Sequence, residues 1–390
     1  MKNNYYTKLL LLLTIFIVTG YTSHSQSITL PDLTANPGDN VAVAVNTSGL
    51  SNVAVVKLYI YFDSDVLTYT GYSNVWSGAS TTLVNYIPSQ SLVTTQFFSF
   101  STGVNFPEGK YLDLNFTFNG GNTDLAFDQV LSKVQAYPDL STIPTDFNDG
   151  SVSQPSVTFN LTVFLEGAYE AGSGGTMRTD LSNAGLIPMV QPFNQVNYYN
   201  NPDPAWFYDG SDQVTAIPPN TVDWVLVELR DAASAAQATN ATIVAQKPCF
   251  LMSNGTIRDL DGTSIPRFYT SFDNGAFVVI WHRNHLGIMS ANAVAGFGGA
   301  YSYNFSTGSN KVAGGANGYK QLETGVWGMA AGDIDADKQI GMNDKSNGWE
   351  TDAALRGYNG SDNNLDSQSN NPDKNEFYIT NLNKVSGIPN

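Results

Sequence analysis

The chain has 390 residues, with 34 Asp and Glu against 18 Lys and Arg, a formal net charge of -16 and a single cysteine. That balance repels phosphate backbones and excludes nucleic acid as a partner, while one Cys excludes an internal disulfide framework. The length exceeds one ordinary core, so two or three domains are expected. Abundant Gly, Asn, Ser, Thr and aromatic residues with little charge are the mix of all-β extracellular modules.

Residues 1–25 read as a secretory signal peptide. Lys2 and Lys8 precede the apolar run Leu9 to Val18, and Ser23-His24-Ser25 offers small residues at the two cleavage subsites, so the mature chain is expected to begin at Gln26. The apolar run is shorter than the ~20 residues that span a bilayer, and no second segment of that length follows. No Cys near the cleavage point offers a lipid anchor. The mature protein is expected to be secreted or at the cell surface, with no transmembrane segment. Losing Lys2 and Lys8, and no acid, takes the formal charge from -16 to -18.

Residues 26–153 read as a first module. Asn40-Val-Ala-Val-Ala-Val-Asn46, the second half of Ala54 to Phe62, and Leu112-Asp-Leu-Asn-Phe-Thr-Phe118 alternate on a two-residue period, which places one side of each on a sheet face. Turn signals at Asn36-Pro-Gly-Asp39, Asp63-Ser-Asp65 and Asn119-Gly-Gly-Asn122 punctuate them, and no long 3.6-residue periodicity intervenes. The pattern predicts a β-sandwich of roughly eight or nine strands.

The order of these elements resembles the cohesin family. The resemblance rests on Asn36-Pro-Gly-Asp39 before the Val-rich strand, the strand Leu58 to Phe62 ending at Asp63-Ser-Asp-Val-Leu67, and the closing Asp146-Phe-Asn-Asp-Gly-Ser-Val152. It implies a jelly-roll sandwich with a dockerin-binding surface; related sandwiches bind carbohydrate. Tyr69, Tyr72, Trp76, Tyr86, Phe97 and Phe98 are candidates for a sugar-stacking platform, with Trp76 and Tyr86 the contacts to truncate, against the plainer reading that they pack the core or its rim.

Residues 154–325 follow a Ser-Gln-Pro-Ser boundary. Strands are expected at Val157 to Leu165, Asp223 to Arg230 and Ala276 to Trp281, the last two central because they run nearly continuously apolar. Leu165-Glu-Gly-Ala-Tyr169, Met177-Arg-Thr-Asp-Leu181, Val222 to Asp231 and His282-Arg-Asn-His-Leu-Gly-Ile-Met289 are similar to a domain found in large exported proteins of Bacteroidetes, which brings no established activity. If the strand from Ala276 continues, His282 and His285 point to opposite faces and cannot share one ion, although a turn at Arg283-Asn284 would bring them together. The plainer reading pairs Arg283 with Glu228 or Asp231. Asp259-Leu-Asp-Gly262 reads as a tight turn. With no Gly-x-Ser-x-Gly elbow in the chain and no third ligand motif, no catalytic residue is assigned. Cys249, between Pro248 and Phe250, reads as a buried apolar residue.

In residues 326–390, Asp333-Ile-Asp-Ala-Asp-Lys-Gln-Ile-Gly-Met-Asn-Asp344 places side-chain oxygens at positions one, three, five and twelve of a twelve-residue loop, from Asp333, Asp335, Asp337 and Asp344. The grammar returns in Asp362-Asn-Asn-Leu-Asp-Ser-Gln-Ser-Asn-Asn-Pro-Asp373, from Asp362, Asn364, Asp366 and Asp373. That spacing wraps a hard cation, with the position-seven carbonyls of Gln339 and Gln368 and either Asn370 or water at position nine. Two Ca2+ sites are expected, since neither loop holds Cys or His. From Asp333 to Glu376 there are ten Asp and Glu against four Lys and Arg, charge that cations would neutralise.

The EF-hand expects Gly at position six and Glu at twelve, where this chain has Lys338, Ser367 and Asp. The pair resembles the dockerin module over roughly residues 330 to 385. That resemblance implies helices following Asn343 and Asp373 and a binding surface on them, the second helix running through Phe377, Tyr378 and Leu382. The fold class expected is mainly β: a cohesin-like jelly-roll sandwich, a second all-β domain and a small C-terminal α module with paired EF-hand-like loops. The expected function is non-catalytic assembly with a cohesin- or dockerin-bearing protein. Carbohydrate binding in polysaccharide degradation is the alternative, and a hydrolase in the middle domain a third.

Overall fold

A computed structural model describes residues 26–390, so the signal-peptide reading lies outside the described residues. The fold is mainly β, with small helices towards the C-terminus. The chain divides into two compact units between Gln154 and Pro155.

The first unit is a sandwich of a five-stranded and an eight-stranded sheet. Its described residues form thirteen strands where eight or nine are expected, because six are pieces of four residues or fewer with too little periodicity to read. Asn40–Ser48 pairs antiparallel with Gly109–Phe118 and lies beside Ser27–Thr29 in the smaller sheet. Val53–Tyr61 pairs with Leu92–Phe98 and Lys133–Ala136 in the larger. Val41, Val43 and Val45 are buried on one side and Leu58 and Ile60 on the other, as the two-residue period dictates.

Both ends of this unit change sheets side by side. Ser27–Thr29 runs parallel to Asp146–Asn148, and Asp32–Thr34 runs parallel to Gly150–Ser153 in the opposite sheet. Gly150 is required at the crossing: a Cβ there would lie 2.4 Å from the Pro31 carbonyl oxygen. The closing stretch Asp146 to Val152 thus locks the opening strand.

The second unit holds a five-stranded sheet ordered Ile257–Arg258, Ile243–Met252, Thr221–Asp231, Ala276–Trp281, Ile288–Met289. A four-stranded sheet contains Val157–Thr162 and Ala300–Asn304 in parallel. The three expected strands are present, and Thr221–Asp231 is central and almost wholly buried. Residues 326–390, expected as a separate module, instead belong to this unit: Ala336, Leu365 and Ile388 lie in one core with Trp224, Phe250 and Trp281. The correction has a physical reason. The tail carries too little apolar surface for a core of its own and completes its neighbour's.

Candidate metal centre

The two acidic loops have the same structure 29 residues apart. Asp337 N–H donates to Asp333 Oδ1 at 3.1 Å, and Asp366 N–H to Asp362 Oδ1 at 3.0 Å. Gln339 N–H donates to Asp337 Oδ1 at 2.8 Å, and Gln368 N–H to Asp366 Oδ1 at 3.0 Å. The position-twelve carboxylates reach back alike: Asp344 accepts from Asp335 N–H at 3.1 Å and Gly341 N–H at 2.7 Å, and Asp373 accepts from Asn364 N–H at 3.0 Å and Asn370 N–H at 2.7 Å.

A reciprocal exchange joins the halves. Ile340 N–H donates to the Lys384 carbonyl at 2.9 Å, and Ser369 N–H, its counterpart, to Leu355 at 2.9 Å. Ser386 N–H reaches Lys338 and Gly357 N–H reaches Ser367, both at 2.9 Å. Each loop is braced by the segment following the other half's helix, which is two-fold pseudosymmetry. The Gln339 and Gln368 carbonyls take no part in these bonds.

Glycine is absent at position six although the backbone there favours it. Position six is left-handed in both loops, with Lys338 at φ 74 and Ser367 at φ 78, and position four likewise, with Ala336 and Leu365 both at φ 58. Such angles cost a non-glycine residue roughly 1–2 kcal/mol. The turn is therefore held by the backbone N–H groups that close each loop on its own carboxylates and not by residue preference. Helical turns begin where expected, Asp344–Trp349 continuing as Glu350–Asp352 and Asp373–Tyr378 continuing as Ile379–Asn381.

Asp333, Asp335, Asp344, Asp362, Asn364 and Asp373 are buried, and carboxylate oxygens of Asp333, Asp335 and Asp337 lie within 4.8 Å of one another. Burial, then repulsion from Asp344, Asp337 and Asp335, holds the Asp333 carboxyl well above its ordinary range. Burial chiefly, then neighbouring carboxylates, pushes Asp344 up to about 8 and Asp335 to about 6. In the second loop burial raises Asp362 to about 7 and Asp373 to about 6.

Three buried side-chain oxygens of the two loops accept no hydrogen bond: Asp335 Oδ1, at position three of the first loop, Asn370 Oδ1, at position nine of the second, and Asn363 Oδ1, at position two of the second, which is not a ligand position. An all-oxygen donor set, convergent buried carboxylates and unpartnered acceptors at two ligand positions fit a hard divalent cation.

The loops are mortised into the second unit. Asn284 Nδ2 donates to the Asp362 carbonyl at 2.7 Å, and Arg178 Nη2 to those of Asn364 at 2.6 Å and Gly167 at 3.0 Å. Arg283 Nη1 donates to the Asn359 carbonyl. Tyr378, expected on a binding helix face, is instead buried against Leu286, Ala330 and Ile340, its hydroxyl donating to the Gly341 carbonyl at 2.8 Å. Phe377 is half-buried, while Ile379 and Leu382 are exposed.

Arg283 pairs with Asp223 at 3.0 Å, not with Glu228 or Asp231. Glu228 holds Arg230 at 2.7 Å, and Asp231 accepts the backbone N–H groups of Asp273, Asn274 and Gly275. The strand ends at Trp281, so a turn brings His282 and His285 together, Nδ1 to Nδ1 at 3.1 Å, instead of sending them to opposite faces. His282 Nε2 meets Asp223 at 3.2 Å, and His285 Nε2 accepts from Gly167 N–H at 3.2 Å. Burial depresses both imidazoles, which supports neutral rings. Asp261 gathers Thr263 N–H, Ser264 N–H and the Ser264 hydroxyl, a closed turn. Cys249 is buried.

Trp76 and Tyr86 are half-buried against the core of the first unit, in separate aromatic groups. Trp76 tilts against Phe106, which contacts Phe97 and Tyr111, and Tyr86 sits against Phe62 and Tyr69.

No family model and no curated protein matches the chain. Solved cohesin structures match the N-terminal third. A cohesin of scaffoldin B from Acetivibrio cellulolyticus, solved with a dockerin, is 19% identical, covering 33% of this chain and 98% of that one at a TM-score of 0.30. A cohesin from Clostridium acetobutylicum gives 20%, 33%, 90% and 0.29, and a non-cellulosomal cohesin from the archaeon Archaeoglobus fulgidus 14%, 33%, 91% and 0.29. No helix of the described residues is long and apolar enough to cross a membrane.

Proposed function

We propose that the loops at 333–344 and 362–373 bind two Ca2+ ions, and that the chain is a non-catalytic component of an extracellular or cell-surface assembly. The observation that supports this reading is the repetition in both loops of the four hydrogen bonds made by the position-one, position-five and position-twelve carboxylates, about a pseudo-two-fold axis. Asp333, Asp335, Asp337 and Asp344, with the Gln339 carbonyl, would hold one ion. Asp362, Asn364, Asp366 and Asp373, with the Gln368 carbonyl and Asn370, would hold the other. The ions neutralise buried carboxylates that otherwise repel, so metal affinity contributes to folding free energy. The exposed helix residues Ile379 and Leu382 would then be offered to a cohesin-like partner.

The test is calorimetric calcium titration of the chain from Gln26, since the loops are built into a larger unit. Two sites, both abolished in an Asp333→Ala, Asp362→Ala double variant that remains folded, would support the reading; no heat at about millimolar calcium would sink it. Capture by an immobilised cohesin, lost on chelation, tests the assembly role.

A further inference from the structure

The second unit's four-stranded sheet runs in the order Arg267–Phe268, Val157–Thr162, Ala300–Asn304 and Gly296–Phe297, and Phe159, Leu161 and Phe268 are buried on its inner side. Strand alternation therefore turns Thr158, Asn160 and Arg267 outward. Register sets Arg267 and Ala300 on either side of Thr158, and Phe297 beside Ala300, so these four stand abreast across four strands, about 14 Å from end to end. Two open hollows of about 480 and 490 Å³ lie along this row and share Thr158 and Ile265.

The groups on this face are exposed and unengaged. Phe297 is 94% exposed, Tyr269 54% and Ile265 42%. Among the described residues no ring contact engages Phe297 or Tyr269, and no hydrogen bond engages the hydroxyls of Thr158 or Ser302, which lies next to Asn160. Arg267 uses one donor, Nη1, on the Ser156 hydroxyl at 3.2 Å, and Arg258 Nη1 makes contacts of 3.4 Å to Asn160 Oδ1 and the Ile257 carbonyl. No carboxylate pairs with either arginine among the described residues, whereas Lys247 is closed on Asp259 at 2.5 Å and Asp261 on its own turn.

The chemistry selects among occupants. Apolar rings left this open mark a binding surface. Two unpaired guanidinium groups on a chain of net charge -16 are complementary to carboxylates, which they meet in a planar fork. They are too few for a densely charged phosphate polymer, which the rest of the chain repels. A peptide held by a sheet adds to its edge through backbone bonds, but this face offers side chains alone. Short hydroxyl and amide groups suit a ligand rich in hydroxyls, and the rings supply stacking surface for sugars. We infer that this sheet face binds an oligosaccharide bearing uronate groups, its rings stacked on Phe297 and Tyr269 and its carboxylates paired with Arg267 and Arg258. The site is remote in sequence from the acidic loops and does not depend on their calcium.

The experiment titrates the chain from Gln26 with glucuronate-substituted xylo-oligosaccharides and hyaluronate oligosaccharides, against unsubstituted xylo-oligosaccharides and a Glu-containing peptide of matched length and charge, read by calorimetry and ligand-detected NMR. At least one uronate sugar is expected to bind about tenfold or more tightly than either control. Phe297→Ala and Arg267→Ala, both at exposed positions, are each expected to weaken it about tenfold, and Phe297→Tyr to retain it. No uronate binding up to about millimolar ligand, equal affinity for the neutral sugar or the peptide, or uronate binding that survives both alanine variants would each overturn the proposal. Calcium titration of the same samples reports separately on the loops.

Discussion

Asp335 Oδ1 and Asn370 Oδ1 are buried oxygens without a hydrogen-bond partner, and the raised carboxyls of the two loops carry a pH signature. Each of these acids keeps its proton to higher pH folded than unfolded, so the metal-free fold binds the extra protons. Its stability is full below the unfolded value near pH 4 and is lost as pH rises through the folded values of about 6 for Asp335 and Asp373, about 7 for Asp362 and about 8 for Asp344. The metal-free protein is therefore expected to melt at higher temperature at about pH 5 than at about pH 8.5, with saturating calcium reversing the order; scanning calorimetry at both values checks it. At Arg283, truncation to Met strands the buried Asp223 carboxylate and is expected to cost about 3–5 kcal/mol, with adding Asp223→Asn restoring part of it, measured by urea denaturation.

The repeated loop-and-helix elements make a different prediction. Lys338→Gly and Ser367→Gly remove left-handed strain at position six, offset by the greater freedom of glycine in the unfolded chain. Each is expected to gain about 0.5–1 kcal/mol, and their sum to be additive, since they lie in different loops. A loss on either substitution in chemical denaturation would show that the side chain, Lys338 with its contact to Asn390 above all, matters more than the backbone. In the first unit, Gly150→Ala drives a Cβ against the Pro31 carbonyl and should destabilise the sandwich by about 1–3 kcal/mol, read from its thermal transition.

For the whole molecule, the assignment of residues 326–390 to the second unit sets which part would answer to calcium under the proposed function. Unfolding is expected in two transitions, with calcium at about 100 times its dissociation constant raising only that of residues 155–390, by about 2.7 kcal/mol for each ion bound. Differential scanning calorimetry with and without chelator tests it: a calcium shift in both transitions, or in the 26–154 transition alone, would contradict the division.

Local pattern determined much of this protein. The alternation in Asn40 to Asn46 and Leu112 to Phe118 specified half-buried strands, because strand side chains alternate faces regardless of their neighbours. The Asp333 and Asp362 spacings placed both loops and helix starts, because a twelve-residue wrap is local chemistry. Long-range contact decided the rest. No spacing tells that Arg283 would choose Asp223 over Glu228, or that a turn would set His282 edge to face with His285, since strand order sets which charges meet. Nor does the tail's composition show that Leu365 and Ile388 complete the core of the preceding residues, for burial is a property of the folded whole.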